Sequence, residues 1–326
     1  MTLYTNGFTT FGAKGLREQL ANMIYDISPQ DTPFTSNAAG KRENPKGTLF
    51  EWQTDILASA ATTNRQFEGD IVAANAITAT VRVGNYMQIA YKAASISGTL
   101  EAVDKAGRKS EMAYQILRRG VEIKRDNEAN LIGSNQGGNA GSTTTARQTA
   151  TMAAWLKTNT VKNSTTGGDP TYTAGVPSAA RTDGTATDLV TISKAMVDSA
   201  QLKAYNSGGK PSILMIAPAV KATVSAFTSL ATNMYQINSP KEVAIIGSAD
   251  VYLGQFGLLH IVPNRFQRSV DAWLLDPDFY AVEYLRPFQT DELAKVGDST
   301  QKLVVVEYGL KVHNEAAHAG IFDIKA

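Results

Sequence analysis

The chain has 326 residues, with 31 Lys and Arg against 30 Asp and Glu, 43% hydrophobic residues and no Cys. This length and composition support a sizeable core, while the balanced charge withholds the broad basic footprint of a dedicated nucleic-acid binder. Without cysteine, disulfide frameworks, thiolate zinc sites and cysteine nucleophiles are excluded together.

Residues 1–40 read as an arm. Gly7, Gly12, Gly15 and Gly40 punctuate it, and only Leu16, Leu20, Met23 and Ile24 keep a short helical period. The start lacks the basic-then-apolar pattern of a secretory signal, and no apolar run approaches the roughly 20 residues that cross a bilayer, so a soluble cytoplasmic chain without membrane contact is expected. Pro33 holds Thr32 out of the helical region, which predicts an extended chain over 31–36.

Residues 48–57 alternate, with Phe50, Trp52, Thr54 and Ile56 on one side and Glu51, Gln53 and Asp55 on the other, the pattern of a strand with one wet face. A second alternating run over 77–83 continues past Gly84 and Asn85 to residue 91. The connection over 58–75 has little periodicity and far exceeds the 2–5 residues of ordinary hairpin loops. Such a two-stranded excursion is not stable alone and must lie on something else, in this chain or another.

Over 99–132 the period changes to 3.6, with Leu100, Val103, Met112, Ile116, Leu117, Val121 and Leu131 near one stripe. Unbroken, this helix would be about 51 Å long; Gly107 and Gly120 are the places where it could kink or split. Residues 133–188 are loop-rich around a short apolar anchor at 152–156. A helix over 192–205, a buried strand over 213–217 and a helix over 219–230 follow, then strands at 244–246, 258–262, 272–275 and 303–312. The class is α+β with no internal repeat.

The chain is poor in chemistry. His313 and His318 are five apart where the His-Glu-x-x-His zinc helix needs four, which turns the rings away from each other. Residues 133–141 have the glycines of a phosphate loop but neither its Lys nor a preceding buried strand. Asp276-Pro277-Asp278 is ordinary turn chemistry, and His260 sits inside an apolar strand. Arg118, Arg119, Lys124 and Arg125 are interleaved with Glu111, Glu122, Asp126 and Glu128 at spacings that favour ion pairs over nucleic-acid contact. No catalytic, cofactor-binding or metal-ligating residue is nominated, no cofactor is expected, and an enzyme has no positive support.

Several stretches, in their order along the chain, resemble a known family. They are Ser28-Pro-Gln-Asp-Thr-Pro-Phe34, Gly208-Gly-Lys-Pro211 with Ala217-Pro218, and Val262-Pro-Asn-Arg-Phe266. Leu275-Asp-Pro-Asp-Phe-Tyr280, Tyr284-Leu-Arg-Pro-Phe288, Val306-Glu-Tyr-Gly-Leu-Lys-Val312 and Gly320-Ile-Phe-Asp323 follow. Their order is similar to that of the major capsid proteins of tailed bacteriophages with the Hong Kong 97-type fold. The resemblance implies an N-terminal arm over 1–40, an extended loop over 41–95 lying on a neighbouring subunit, and a peripheral domain over 96–209 with its spine helix at 99–132 and a loop-rich insertion at 133–188. An axial domain would span 210–290, and 291–326 would return to the peripheral sheet.

The function so implied is self-assembly, through hexameric and pentameric capsomers of this chain, into an icosahedral head around double-stranded DNA. Scaffolding, portal and decoration proteins would be further partners, and the assembled chain would reside in the virion. A bacterial encapsulin shell is the alternative on the same fold; a non-enzymatic adhesin or decoration protein is the alternative outside it. On this reading Phe8, Phe11 and Phe34 of the arm, with Phe50, Trp52 and Ile56 of the loop, are expected to bury against adjacent subunits; the competing reading is packing within their own chain. If they are contacts, truncating Trp52 weakens assembly and leaves folding intact.

Overall fold

A computed structural model describes residues 28–69, 76–227, 251–295 and 297–325. The first element is a short helix, α1 (Pro33–Asn37), and not the extended segment expected there. Thr32 does stay out of the helical region, at φ −127° and ψ 69°, but as the residue that precedes the helix. Pro33 takes the first turn, where its missing N–H costs nothing. The deciding partner is remote: the buried Glu128 carboxylate accepts from the Phe34 N–H at 2.6 Å, the Thr35 N–H at 2.9 Å and the Asn264 side-chain amide at 2.7 Å. A negative group on the orphan donors of a first turn favours the helix.

The strands β1 (Leu49–Thr54) and β2 (Val81–Tyr86) pair antiparallel, and β3 (Gln88–Ser97) leaves them for another sheet. The long helix expected over 99–132 is two helices, α2 (Gly98–Ala102) and α3 (Glu111–Glu128). Gly107 lies between them at φ 77°, a left-handed conformation that a Cβ would strain, and the helix breaks there. Ser110 restarts it by accepting the Ala113 N–H at 3.2 Å. The other candidate break, Gly120, stays helical on the open side of α3. With 18 residues α3 is about 27 Å long, and a π-helical turn at Ala129–Gly133 follows it.

The insertion is anchored by the buried α4 (Met152–Trp155) and carries β4 (Thr160–Lys162), β5 (Thr171–Thr173), β6 (Val176–Ala179) and β7 (Val190–Thr191). Next come α5 (Lys194–Asn206), β8 (Ile213–Ile216) and α6 (Pro218–Ser225). The end of the helix expected to residue 230 and the strand expected at 244–246 lie outside the described residues. Strands β9 (Val251–Gly254), β10 (Gly257–Pro263), β11 (Asp271–Leu275), β12 (Tyr280–Glu292), β13 (Ser299–Val312), β14 (Ala319–Phe322) and β15 (Ile324–Lys325) complete the order.

A six-stranded mixed sheet runs β4-β14-β11-β8-β10-β9. Every residue of β8 and β11 is buried, as in a sheet covered on both faces. Period-2 geometry then divides their side chains between two cores. Leu214, Ile216, Ala272 and Leu274 pack with Val197 and Ala204 of α5 and Val220 of α6. Ile213, Met215, Trp273 and Leu275 enter the other core with Phe34, Ile132, Met152 and Trp155. That second core is closed by Val304, Val306, Tyr308 and Leu310 of a three-stranded sheet, β12-β13-β3. Helix α3 lies on β3, where Lys92 reaches Asp126 at 2.9 Å and Met112 packs with Ala94 and Ile96. The return segment enters both sheets: β13 pairs with β12 and β3, whereas β14 inserts between β4 and β11.

Candidate assembly surfaces

The β1–β2 hairpin is bolted at its root. Gly309 leaves room for the Phe50 ring, since a Cβ there would stand 2.7 Å from it. Phe50 stacks on Trp52 at 5.7 Å between centroids, and Trp52 in turn meets Trp155 at 5.5 Å. The Trp52 indole N–H donates to the His313 carbonyl at 3.2 Å, and the buried Lys311 ammonium lies 5.7 Å from the Trp52 ring while pairing with Glu43 at 3.0 Å. The Glu43 backbone N–H is held by the Glu283 carboxylate at 2.9 Å.

Pairing of β1 with β2 ends at Thr54 opposite Val81. Beyond that point Ile56 is 82% exposed, Leu57 92%, Phe67 85% and Ile77 97%. One exposed apolar side chain is ordinary; four on a single excursion are left uncovered by the described residues.

These placements sort the residues expected to make inter-subunit contacts. Phe8 and Phe11 lie outside the described residues. Phe34 is fully buried in its own chain and stacks on Tyr280 at 4.7 Å, because the helix it belongs to is seated on Glu128. Phe50 is buried and Trp52 half-buried at the hairpin root. All three pack against residues of their own chain. Alternation assigns a side of the strand; it does not say what covers that side. Ile56 stays exposed, and Leu57, Phe67 and Ile77, which the sequence reading did not nominate, join it. Leu57 and Phe67 escaped because neither is the partner of a clear alternation.

The cationic run on α3 is largely engaged within the chain. Arg119 pairs with Glu122 at 2.6 Å, Lys92 bridges Glu122 and Asp126, and Arg118 lies over the Tyr114 ring at 5.8 Å. The glycine loop after α3 also spends its amides internally: the Gly138 N–H donates to the Pro177 carbonyl at 2.7 Å and the Asn139 N–H to the Gln148 carbonyl at 2.9 Å.

His318 is fully buried, its Nδ1 accepting the Asp276 N–H at 3.1 Å, and burial pushes it down to about 4. His313 is also lowered, first by burial and then by Lys311. Asp276 accepts the Asp278 N–H at 3.2 Å, the turn chemistry expected of that tripeptide. Among the described residues no group of three His, Asp or Glu could hold a metal ion, and no helix is long and apolar enough to cross a membrane.

Comparison with known proteins leads to the capsids of bacteriophages. The major capsid protein of Escherichia phage Phieco32 is 28% identical over 346 residues, covering 97% of this chain and 96% of the relative. Among solved structures, the capsid of a native GTA particle aligns with a TM-score of 0.63 at 12% identity, over 97% of this chain and 98% of that one. Gordonia phage Cozz aligns with a TM-score of 0.57 at 14% identity, over 99% and 97%. These likenesses carry the Hong Kong 97-type α+β fold. The family model described as SU10 major capsid protein matches residues 3–325, and with that span the chain belongs to the SU10 major capsid protein family, a structural family of tailed bacteriophages.

Proposed function

We propose that this chain assembles through hexameric and pentameric capsomers into an icosahedral head that encloses double-stranded DNA, and that the 55–80 excursion is one of its inter-subunit contacts. The observation that carries this is the pairing of a fixed root with an apolar, uncovered tip. The fixed root anchors the excursion at both of its ends, which lowers the ordering cost added when a neighbour covers Ile56, Leu57, Phe67 and Ile77. Contacts of this kind, modest singly, become cooperative in a closed shell because each placed neighbour raises the effective concentration for the next. On the same reading residues 1–40 are the arm, 41–95 the extended loop, 96–209 and 291–326 the peripheral domain and 210–290 the axial domain. Scaffolding, portal and decoration proteins would be further partners of such a head.

Size-exclusion chromatography with light scattering on wild type and on Phe67→Asp with Ile77→Asp tests the contact. Megadalton particles are expected from wild type, and well-folded small species with an unchanged melting temperature from the double variant. Full assembly of the double variant would show that the excursion is not a contact. Nucleic acid inside the particles supports the enclosure of double-stranded DNA.

A further inference from the structure

Buried charge fastens the insertion to the six-stranded sheet. Arg181, whose side chain is fully buried, lies 3.8 Å from the Phe322 ring centroid and reaches Asp169 at 3.4 Å and Asp323 at 3.7 Å. Arg268 pairs with Asp183 and stands 3.4 Å from Asp271, and Lys162 pairs with Asp169. Asp323, at a left-handed φ of 61°, accepts the Gly184 N–H at 2.8 Å. Asp169, Arg181 and Asp183 belong to the 163–188 segment; Lys162, Arg268, Asp271 and Asp323 belong to the sheet and its flanking loop.

Four carboxylates here face three cations, and the one least served is Asp271. It is 1% exposed, and neither of its carboxylate oxygens has a hydrogen-bond donor. Its nearest cation, the Arg268 guanidinium, is out of hydrogen-bond alignment and shared with Asp183. A buried carboxylate without donors favours its neutral form. Burial raises Asp271 to about 7, against the pull of Arg268 and Arg181 and with the push of Asp183 and Asp323.

We propose that this cluster is a proton-operated latch, in which protonated Asp271 lets the 163–188 segment close on the sheet and ionised Asp271, competing with Asp183 for Arg268, loosens it. In the closed state Asp271 holds its proton to a higher pH than an exposed Asp does, so the stabilisation is complete below its ordinary titration range and is lost as pH rises through about 7. If opening returns Asp271 to ordinary behaviour, the opening equilibrium rises about tenfold from pH 6 to pH 8.5.

Hydrogen–deuterium exchange of the full chain, corrected for the intrinsic pH dependence of amide exchange, reads this directly. The 163–188 segment is expected to lose protection about tenfold between those two pH values in wild type and to be insensitive to pH in Asp271→Asn. Equal protection at both pH values in wild type, or an undiminished pH response in Asp271→Asn, overturns the latch. Should Asp271→Asn fail to fold, the carboxyl carbon resonance of Asp271 decides. A midpoint near 7 in wild type that falls in Asp183→Asn supports the latch, and a wild-type midpoint below 5 overturns it.

Discussion

Glu128 and Trp52 show how single side chains tie distant parts of the chain together. Three donors from two separate segments converge on the Glu128 carboxylate, so Glu128→Ala removes the acceptor of the buried Phe34 N–H and of the part-buried Thr35 N–H, and leaves the buried Asn264 amide only the weak Met215 sulfur. Hydrogen bonds to a charged acceptor are worth about 1.5–3 kcal/mol each, and chemical denaturation is expected to show a loss of about 3–5 kcal/mol, with Glu128→Gln losing less because the amide oxygen still accepts. A loss below about 1 kcal/mol would mean that water replaces the carboxylate at no cost. Trp52→Ala removes the ring that links Phe50, Trp155 and Lys311, and should destabilise the unassembled chain by about 2–4 kcal/mol. Were its melting temperature unchanged while assembly failed, Trp52 would be an inter-subunit contact after all. Neither role is visible in sequence: Glu128 sits among mixed charges on a helix, and its ligands lie 94 and 136 residues away.

Elements were legible where a period ran its full length. β8, β10, β11 and β13 all fall where apolar or alternating runs place them, because burial on one or both faces writes itself directly into residue type. α1 was not legible, since its stability comes from a tertiary partner and not from its own five residues. α3 was half legible: the helical period held over 111–128, but Leu117 of the expected stripe is 73% exposed while Ile123, outside it, is buried, and choosing between Gly107 and Gly120 as the break depended on which of them meets a turn. Gly107→Ala tests that choice. It is expected to lower the melting temperature through about 1 kcal/mol of backbone strain while leaving helical content by circular dichroism unchanged. A rise in helical content would mean that α2 and α3 fuse once the glycine is gone, and that no other restraint separates them. The tip of the β1–β2 hairpin was legible as a feature requiring a partner but not residue by residue, because an aperiodic stretch offers no rule for which side chains stay outside.

At the scale of the whole molecule, the two cores share one wall. β8 and β11 contribute alternate side chains to both, so the α5–α6 side and the α3–β13 side are not independent folding units. The position of β14 in that wall has a consequence for synthesis. β14 bonds to β4 on one side and β11 on the other, and both precede it in the chain. While a ribosome is still short of residue 322, the sheet therefore ends at an open β11 edge, and β4, which bonds to β14 alone, has no strand partner. A nascent or prematurely ended chain cannot present a finished surface to its neighbours, and its open edges invite pairing with other unfinished chains instead. Completion of the sheet is thus a late event of synthesis: a late strand closes the β11 edge and brings an early strand, β4, into the sheet with it.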